Sequence, residues 1–342
     1  LFIPKTFFHK HRIAAFSSLF WLILVLSVFA LCVGQTWISP LSLWKILVIG
    51  ENDSVSVALD LVRIPRLLAA LGGGACLAVS GALLQRLTRN PLVDPGLLGI
   101  NSGATLAVVL MLISYSHRNL APPWILPIAA VAGAFVTAAF IAFLVWGRRS
   151  RNPATILLIG VAIGAGTSAI AQSLAVVMDR NLLRWMVAWQ TGTLSGVSLT
   201  PGIIMLVAVF IGILLAFFLA PQLEVSGLGD DLSMALGVDL ERLRRRTLLL
   251  AAFLGAIPVA WCGGIVFVGF LAPHMSRMLM GGAARTEFLG AALCGAFLVL
   301  ATDTFGRTVL PGNELPAGAL LGMIGVPVFL ISLSRWGGRT FA

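Results

Sequence analysis

The sequence predicts an all-α integral membrane protein with about ten transmembrane helices, and three observations carry that prediction. Of 342 residues, 59% are hydrophobic and 11% charged, whereas soluble domains carry roughly 25% charged residues. The mean hydropathy of +1.01 excludes a water-soluble enzyme. The apolar runs are long and continuous, unlike the alternating segments of about ten residues in a transmembrane β-barrel. A span takes about 20 apolar residues, so the chain holds about ten spans with short loops, as a single transmembrane domain over residues 1–342.

The runs fall at 16–36, 67–85, 96–115, 124–146, 154–178, 201–220, 247–263, 265–280, 288–304 and 314–334. Lys5, Lys10 and Arg12 precede the first in the manner of a secretory signal. The uncharged stretch Ile13 to Ile38 outruns the roughly 7–15 apolar residues of a signal, so it reads as a retained span. The seventh and eighth runs meet at Gly263-Gly264 and could instead be one broken helix with a re-entrant piece. Counting bases weighs against that alternative. With the N-terminus inside, sixteen of the 23 Lys and Arg fall on that side and seven on the other; fusing the two runs gives 12 against 11. Lys and Arg are retained on the cytoplasmic side, so ten spans with both termini cytoplasmic are expected. Ten spans divide into five plus five, and a repeat with an odd span number is inserted inverted relative to its copy. The halves show no convincing sequence similarity, so an inverted five-helix repeat rests on geometry alone.

The net charge of +10 would form a stripe on a soluble face in a nucleic-acid binder. Here the bases sit between spans, and no nucleic-acid partner is expected. Cys32, Cys76, Cys262 and Cys294 are widely spaced in apolar surroundings, which suggests packing and no metal site or disulfide. Gly160-x-x-x-Gly164 and Gly318-x-x-x-Gly322 have the spacing that lets helix backbones approach closely. No lysine follows a glycine in a phosphate loop, and there is no His-Glu-x-x-His. The chain is therefore read as a transport subunit, not an enzyme, and ATP hydrolysis must come from another polypeptide. A secondary carrier, the reading from another class, would keep carboxylates deep in its spans. Asp303 and Glu314 fall at predicted outer ends instead.

One long cytoplasmic loop is expected at residues 221–246. Asp230 and Asp231 follow Gly229 at a probable helix start, where negative charge suits the dipole. Leu232, Ala235 and Leu236 would share a face, and Gly237 ends the helix. From spacing alone this helix is equally a handle for a soluble partner or a passive interfacial helix.

An ordered set of motifs resembles the permease subunit of the type II ABC importers, the family for ferric siderophores, haem and cobalamin. It comprises Arg63-Ile-Pro-Arg66, Ser80-Gly81-Ala-Leu-Leu-Gln85, Arg89-Asn-Pro-Leu-Val-Asp-Pro-Gly-Leu-Leu-Gly99, Ala235-Leu-Gly-Val238, Phe267-Val-Gly-Phe-Leu-Ala-Pro-His-Met-Ser-Arg277, Asp303-x-x-x-Arg307 and Glu314-Leu-Pro-Ala-Gly318. The resemblance implies a bacterial inner-membrane subunit paired with a second, identical or different, permease. It also implies two cytoplasmic ATPases that bind ATP and Mg, and a periplasmic binding protein; no cofactor is implied in this chain. By the same resemblance, Arg63, Arg66 and Arg307 receive acidic residues of the binding protein, and Gly229 to Gly237 form the helix that couples to the ATPase. Asn90, Pro91 and Leu92, with Pro153 and Ala154, match cytoplasmic constrictions, and spans five and ten lie near the dimer axis. The implied cargo is an iron(III)-siderophore complex, with haem or cobalamin as alternatives. Gly263-Gly264-Ile265 departs from the family's Gly-Pro-Ile, and Gly282-Ala-Ala-Arg-Thr286 from its Asp-His-Arg element. His274 is expected to be structural, because a siderophore already saturates its iron.

Overall fold

Small residues decide how closely the helices approach, and one glycine-rich helix lies at the centre of the packing. The computed structural model describes residues 5–34, 37–49, 57–115, 124–146, 154–310 and 314–337. Among them are thirteen α-helices: α1 Lys5–Cys32, α2 Pro40–Ile49, α3 Ile64–Thr88, α4 Ile100–Tyr115, α5 Ile125–Trp146, α6 Ala154–Ala175, α7 Arg180–Gln190, α8 Leu199–Ser226, α9 Asp230–Ala235, α10 Leu240–Cys262, α11 Val268–Met280, α12 Ala284–Thr308 and α13 Ala317–Gly337. A π-helical turn, Leu59–Arg63, leads into α3, and a 3-10 turn, Pro95–Leu98, precedes α4. Ten of the helices occupy the ten apolar runs, while α2, α7 and α9 lie in connections. Among the described residues, seven stretches are long and apolar enough to cross a membrane, and α4 and the Ala317–Ser332 part of α13 are shorter apolar helices.

Nearly every residue of α3 is buried. A Cβ on Gly74 would lie 2.3 Å from the Gly295 carbonyl oxygen of α12, and one on Gly81 would lie 1.9 Å from the Gly269 oxygen of α11. Such contacts place backbone against backbone, which only glycine permits. Ser80 Oγ donates to the Ala251 carbonyl of α10 at 2.6 Å, and Gly72 meets Met205 and Leu206 of α8.

The doubtful pair of spans proves to be two helices joined by irregular chain. α10 stops at Gly263, whose φ is +72°; the Cys262 carbonyl left free there accepts the Thr193 amide at 2.9 Å. α11 has 13 residues, about 20 Å at 1.5 Å per residue, and begins opposite Gly81 and Gln85 in the last third of α3. Non-helical backbone at membrane depth is tolerated where it is buried in protein or lines a cavity. Gly263 and Ile265 are buried, while Gly264, Val266 and Phe267 line a cavity.

Two expectations need correction. The expected loop 221–246 shrinks to residues 227–239, because α8 runs through Pro221 with Leu223 still packed. On the other side, the Asp239 carboxylate caps α10 by accepting the Arg242 amide at 3.0 Å, so the arginines join the helix. Among the described residues, the Gly-x-x-x-Gly pairs approach turns of this same chain. Gly160 and Gly164 pack on Leu98 and Gly99, and Gly318 packs on Thr191 and Gly192, while among the described residues a Cβ on Gly322 would meet Val266 at 3.9 Å.

Candidate functional site

A cavity of about 600 Å³ lies between α4, α6, the α10–α11 link and α13. Asn101, Ser102 and Thr105 of α4 line it together with Ser168 and Gln172 of α6, and Phe267, Phe270 and Phe329 add aromatic surface. Its polar groups are neutral apart from Asp94, which is buried and already engaged: it accepts the Gly96 amide at 2.8 Å and faces the Gly269 and Phe270 amides that open α11. Such a wall offers weak hydrogen bonds over a large area and no tight charged seat. His274 stacks on Phe270 with ring centroids 6.3 Å apart. Among the described residues, no group of three or more His, Cys, Asp and Glu could hold a metal.

The basic end of the bundle carries two ion clusters. Glu287, on the first turn of α12, is 1% exposed and pairs with Arg86 of α3 and Arg277 of α11, each at 2.5 Å. Arg277 also donates to Gln85 Oε1 at 2.8 Å. Sequence reasoning passed over Glu287; its signal was an acidic residue among bases at a helix start. In the second cluster, Asp230 pairs with Arg89 and with Arg244 at 2.6 Å. Partial burial alone would raise the Asp230 carboxyl, but the hydrogen bonds and charges of Arg89 and Arg244 outweigh it and hold the group below 3.8. The stability that this depression contributes is present above the unfolded value and lost as pH falls through the folded one, so the cluster is intact at neutral pH.

α9 stands on this second cluster. Gly229 and Gly237 bracket it with φ of +114° and +83°, values that side-chain-bearing residues rarely adopt. Ser233 is the buried residue, bonded to the Val225 carbonyl of α8 at 2.9 Å. Leu228, Leu232, Met234 and Leu236 consequently point outward, as exposed apolar side chains; Asp231 and Ala235 are exposed as well. Asn90, Pro91 and Leu92 lie beside the cluster, and Leu92 reaches the cavity. Ala154 opens α6, while Pro153 falls outside the described residues.

At the opposite end, the three arginines are turned inward. Arg66, 5% exposed, holds Asp303 at 2.8 Å and Glu314 at 2.8 Å. Arg63 donates to the Leu31 and Cys32 carbonyls at 2.6 and 3.1 Å, and Arg307 to those of Ala30 and Val33 at 3.2 and 3.3 Å. The last carbonyls of a helix attract cations, so Arg63 and Arg307 cap α1. The set therefore differs from free guanidinium groups held ready for a partner. Glu314 is its most open member, with 35% of its side chain exposed.

A helical bundle with irregular backbone around a membrane-depth cavity and an external handle defines the class, a multi-pass transport permease. The model of the FecCD transport family matches residues 22–335, and the chain belongs to that family. It is 34% identical over 320 residues to the iron(3+)-hydroxamate import system permease of Bacillus subtilis (strain 168), covering 92% of this chain and 95% of that one. Identity reaches 36% over 315 residues with the vitamin B12 import system permease of Vibrio cholerae, 92% of each chain, and 35% over 319 with the hemin transport system permease of Yersinia pestis, 92% and 93%. A solved inward-facing conformation of a putative metal-chelate type ABC transporter superposes with a TM-score of 0.80 at 27% identity, covering 95% of this chain and 99% of that one. The protein is thus the permease of a type II ABC importer, a transport component that works with a binding-protein partner and with ATPase partners, in the latter of which the ATPase activity resides.

Proposed function

We propose that this chain conducts an iron(III)-siderophore complex inward across the bacterial inner membrane, driven by ATP and Mg bound on two cytoplasmic ATPases. The single observation that carries the ATP-driven reading is α9, a short helix fastened by Asp230 to two arginines with its leucines facing away from the bundle. The excess of bases on that side supports a cytoplasmic placement for it and for both termini. The iron-chelate cargo is favoured by the hydroxamate and Fe(3+)-citrate permeases among the relatives and by a roomy cavity of neutral hydrogen-bonding groups. Haem and vitamin B12 are the competing cargoes, given the similar identity to their permeases.

A second permease copy would sit along α6 and α13, where Leu158, Val161, Met323, Ile324 and Leu330 are exposed beside the cavity. The turns at Asn90–Leu92 and Pro153–Ala154 would form the inner constriction, and the expected coupling helix is α9 with Gly229 and Gly237 as its hinges. Replacing both Leu232 and Leu236 with Glu is expected to weaken ATPase association by about 30-fold or more, since truncating a central contact residue costs upward of about 2 kcal/mol. Co-purification and ATPase titration measure it; unaltered association would refute the assignment.

For the binding protein, docking on Arg66 requires its acidic residue to take the place of Glu314. Glu314→Gln is therefore expected to tighten binding-protein affinity about five-fold at low salt, the worth of a partly exposed pair of about 1 kcal/mol. A weaker or unchanged affinity would remove Arg66 from the docking surface. The cargo is tested in proteoliposomes holding permease, ATPase and binding protein, supplied in turn with a ferric siderophore, haem and cobalamin. ATP-dependent accumulation of the siderophore is expected, and uptake driven by an ion gradient without ATP would overturn the importer reading.

A further inference from the structure

We propose that residues 89–94 are the mechanical link between α9 and the cavity wall, with Arg89 and Asp94 as its two positioning residues. The inference rests on the importer reading, because it needs an ATPase seated on α9.

The link starts at Asp230. Ser233 and Arg244 tie α9 to its own flanking helices, α8 and α10, whereas Arg89 belongs to a segment 141 positions away. Arg89 is the first residue past α3 and has a left-handed backbone, φ +51°. Its amide and that of Asn90 donate to the carbonyls of Arg86 and Gln85, the pair of hydrogen bonds that closes a helix end. The chain leaving that closure cannot continue the helix, because Pro91 follows.

From there the chain turns back toward α11. Asn90 Oδ1 accepts the Leu92 amide at 3.0 Å, which fixes the turn. Gln85 Nε2 donates at 3.1 Å to the Val93 carbonyl and at 3.0 Å to that of Gly269, so a single amide group clamps the segment to the start of α11. Asp94 then lies against the Gly269 and Phe270 amides, where a carboxylate meets the positive end of the helix.

The start of α11 is itself joined to α13. Phe267, the residue before α11, has φ +65°, and its ring fills the space over Gly325, where a Cβ would lie 2.4 Å away. Phe270 meets Phe329 edge to face at 5.5 Å. Leu92, Asp94, Phe267, Phe270 and Phe329 all line the cavity. An unbroken series of hydrogen bonds and packed rings therefore runs from an exposed helix to that wall, and such contiguous series carry energetic coupling between sites.

The test uses the complete transporter in proteoliposomes, permease with ATPase and binding protein, with chelate uptake and ATP hydrolysis measured on the same vesicles. Arg89→Ala is expected to keep binding-protein-stimulated hydrolysis while uptake per ATP falls about ten-fold, the scale of a typical coupling energy, and Asp94→Ala is expected to lower uptake per ATP to a similar extent. Asp94→Asn keeps an acceptor oxygen for the α11 amides and is expected to retain most of the ratio. The double Ala variant should be no worse than either single one, because residues in one series are not additive. Uptake and hydrolysis that fall in parallel, or a ratio unchanged in Arg89→Ala, would overturn the link. Arg89 is exposed, so its variant decides the matter even where Asp94→Ala is not recovered folded. Wild-type vesicles without any ATP-dependent uptake would overturn the importer reading and this link with it, a result distinct from uncoupling.

Discussion

Gly81→Ala is expected to abolish accumulation of folded permease. The new Cβ would stand 1.9 Å from the Gly269 oxygen and 2.4 Å from its Cα, and both obstacles are backbone. Overpacking among side chains costs about 1–3 kcal/mol because rotamers adjust; here α3 and α11 must separate as whole helices. That separation would also pull Gln85 from the Gly269 carbonyl and Asp94 from the first amides of α11, so the cost is expected to exceed about 3 kcal/mol. Gly166→Ala is the matched control. Its Cβ enters open space, and in a helix the change gains up to about 1 kcal/mol. Size-exclusion profiles and thermal unfolding of the two detergent-purified variants measure the difference, and equal yield with equal melting would contradict the α3–α11 geometry.

Glu287→Leu is expected to have the next largest effect. The carboxylate is 1% exposed and balances Arg86 and Arg277, so its removal leaves two cations facing each other at the meeting of α3, α11 and α12. Breaking a buried pair costs about 3–5 kcal/mol; since 15% and 26% of the arginine side chains reach outside, the lower end is expected. Glu287→Gln keeps an acceptor and should fall between. Substituting Arg86→Met and Arg277→Leu together with Glu287→Leu removes the uncompensated charge and should restore part of the loss. A melting temperature that drops equally in the single and triple variants would show that packing, not charge, governs this corner.

Much of the site was written in the motifs, but not the use to which the molecule puts them. Arg63, Arg66 and Arg307 stand out at an outer end, and periodicity cannot reveal that two of them close the last turn of α1 while the third is shared by Asp303 and Glu314. The partners of Arg66 lie 237 and 248 positions away, beyond any local pattern. Asp94 likewise reads as a loop residue before a 3-10 turn, and its second set of amides comes from a helix that begins at Val268. Glu287 carries no motif, because a single carboxylate gains meaning only when arginines from two other helices converge on it.

The amino-acid order alone determined the membrane class, the positions of ten apolar helices, their expected sidedness and the short helix at Asp230. Each follows from properties summed over neighbouring residues: hydropathy over about 20 positions, bases counted in loops, and glycine and carboxylates at a helix start. Tertiary structure decided which carboxylate neutralises which arginine, that the glycine spacings of α6 and α13 meet turns of their own chain, and that α11 starts against Gly81 and Gln85 of α3 beside a cavity. Those outcomes depend on close packing between distant segments, where a contact of 2–3 Å is set by the approach of whole helices and leaves no periodic trace along the chain.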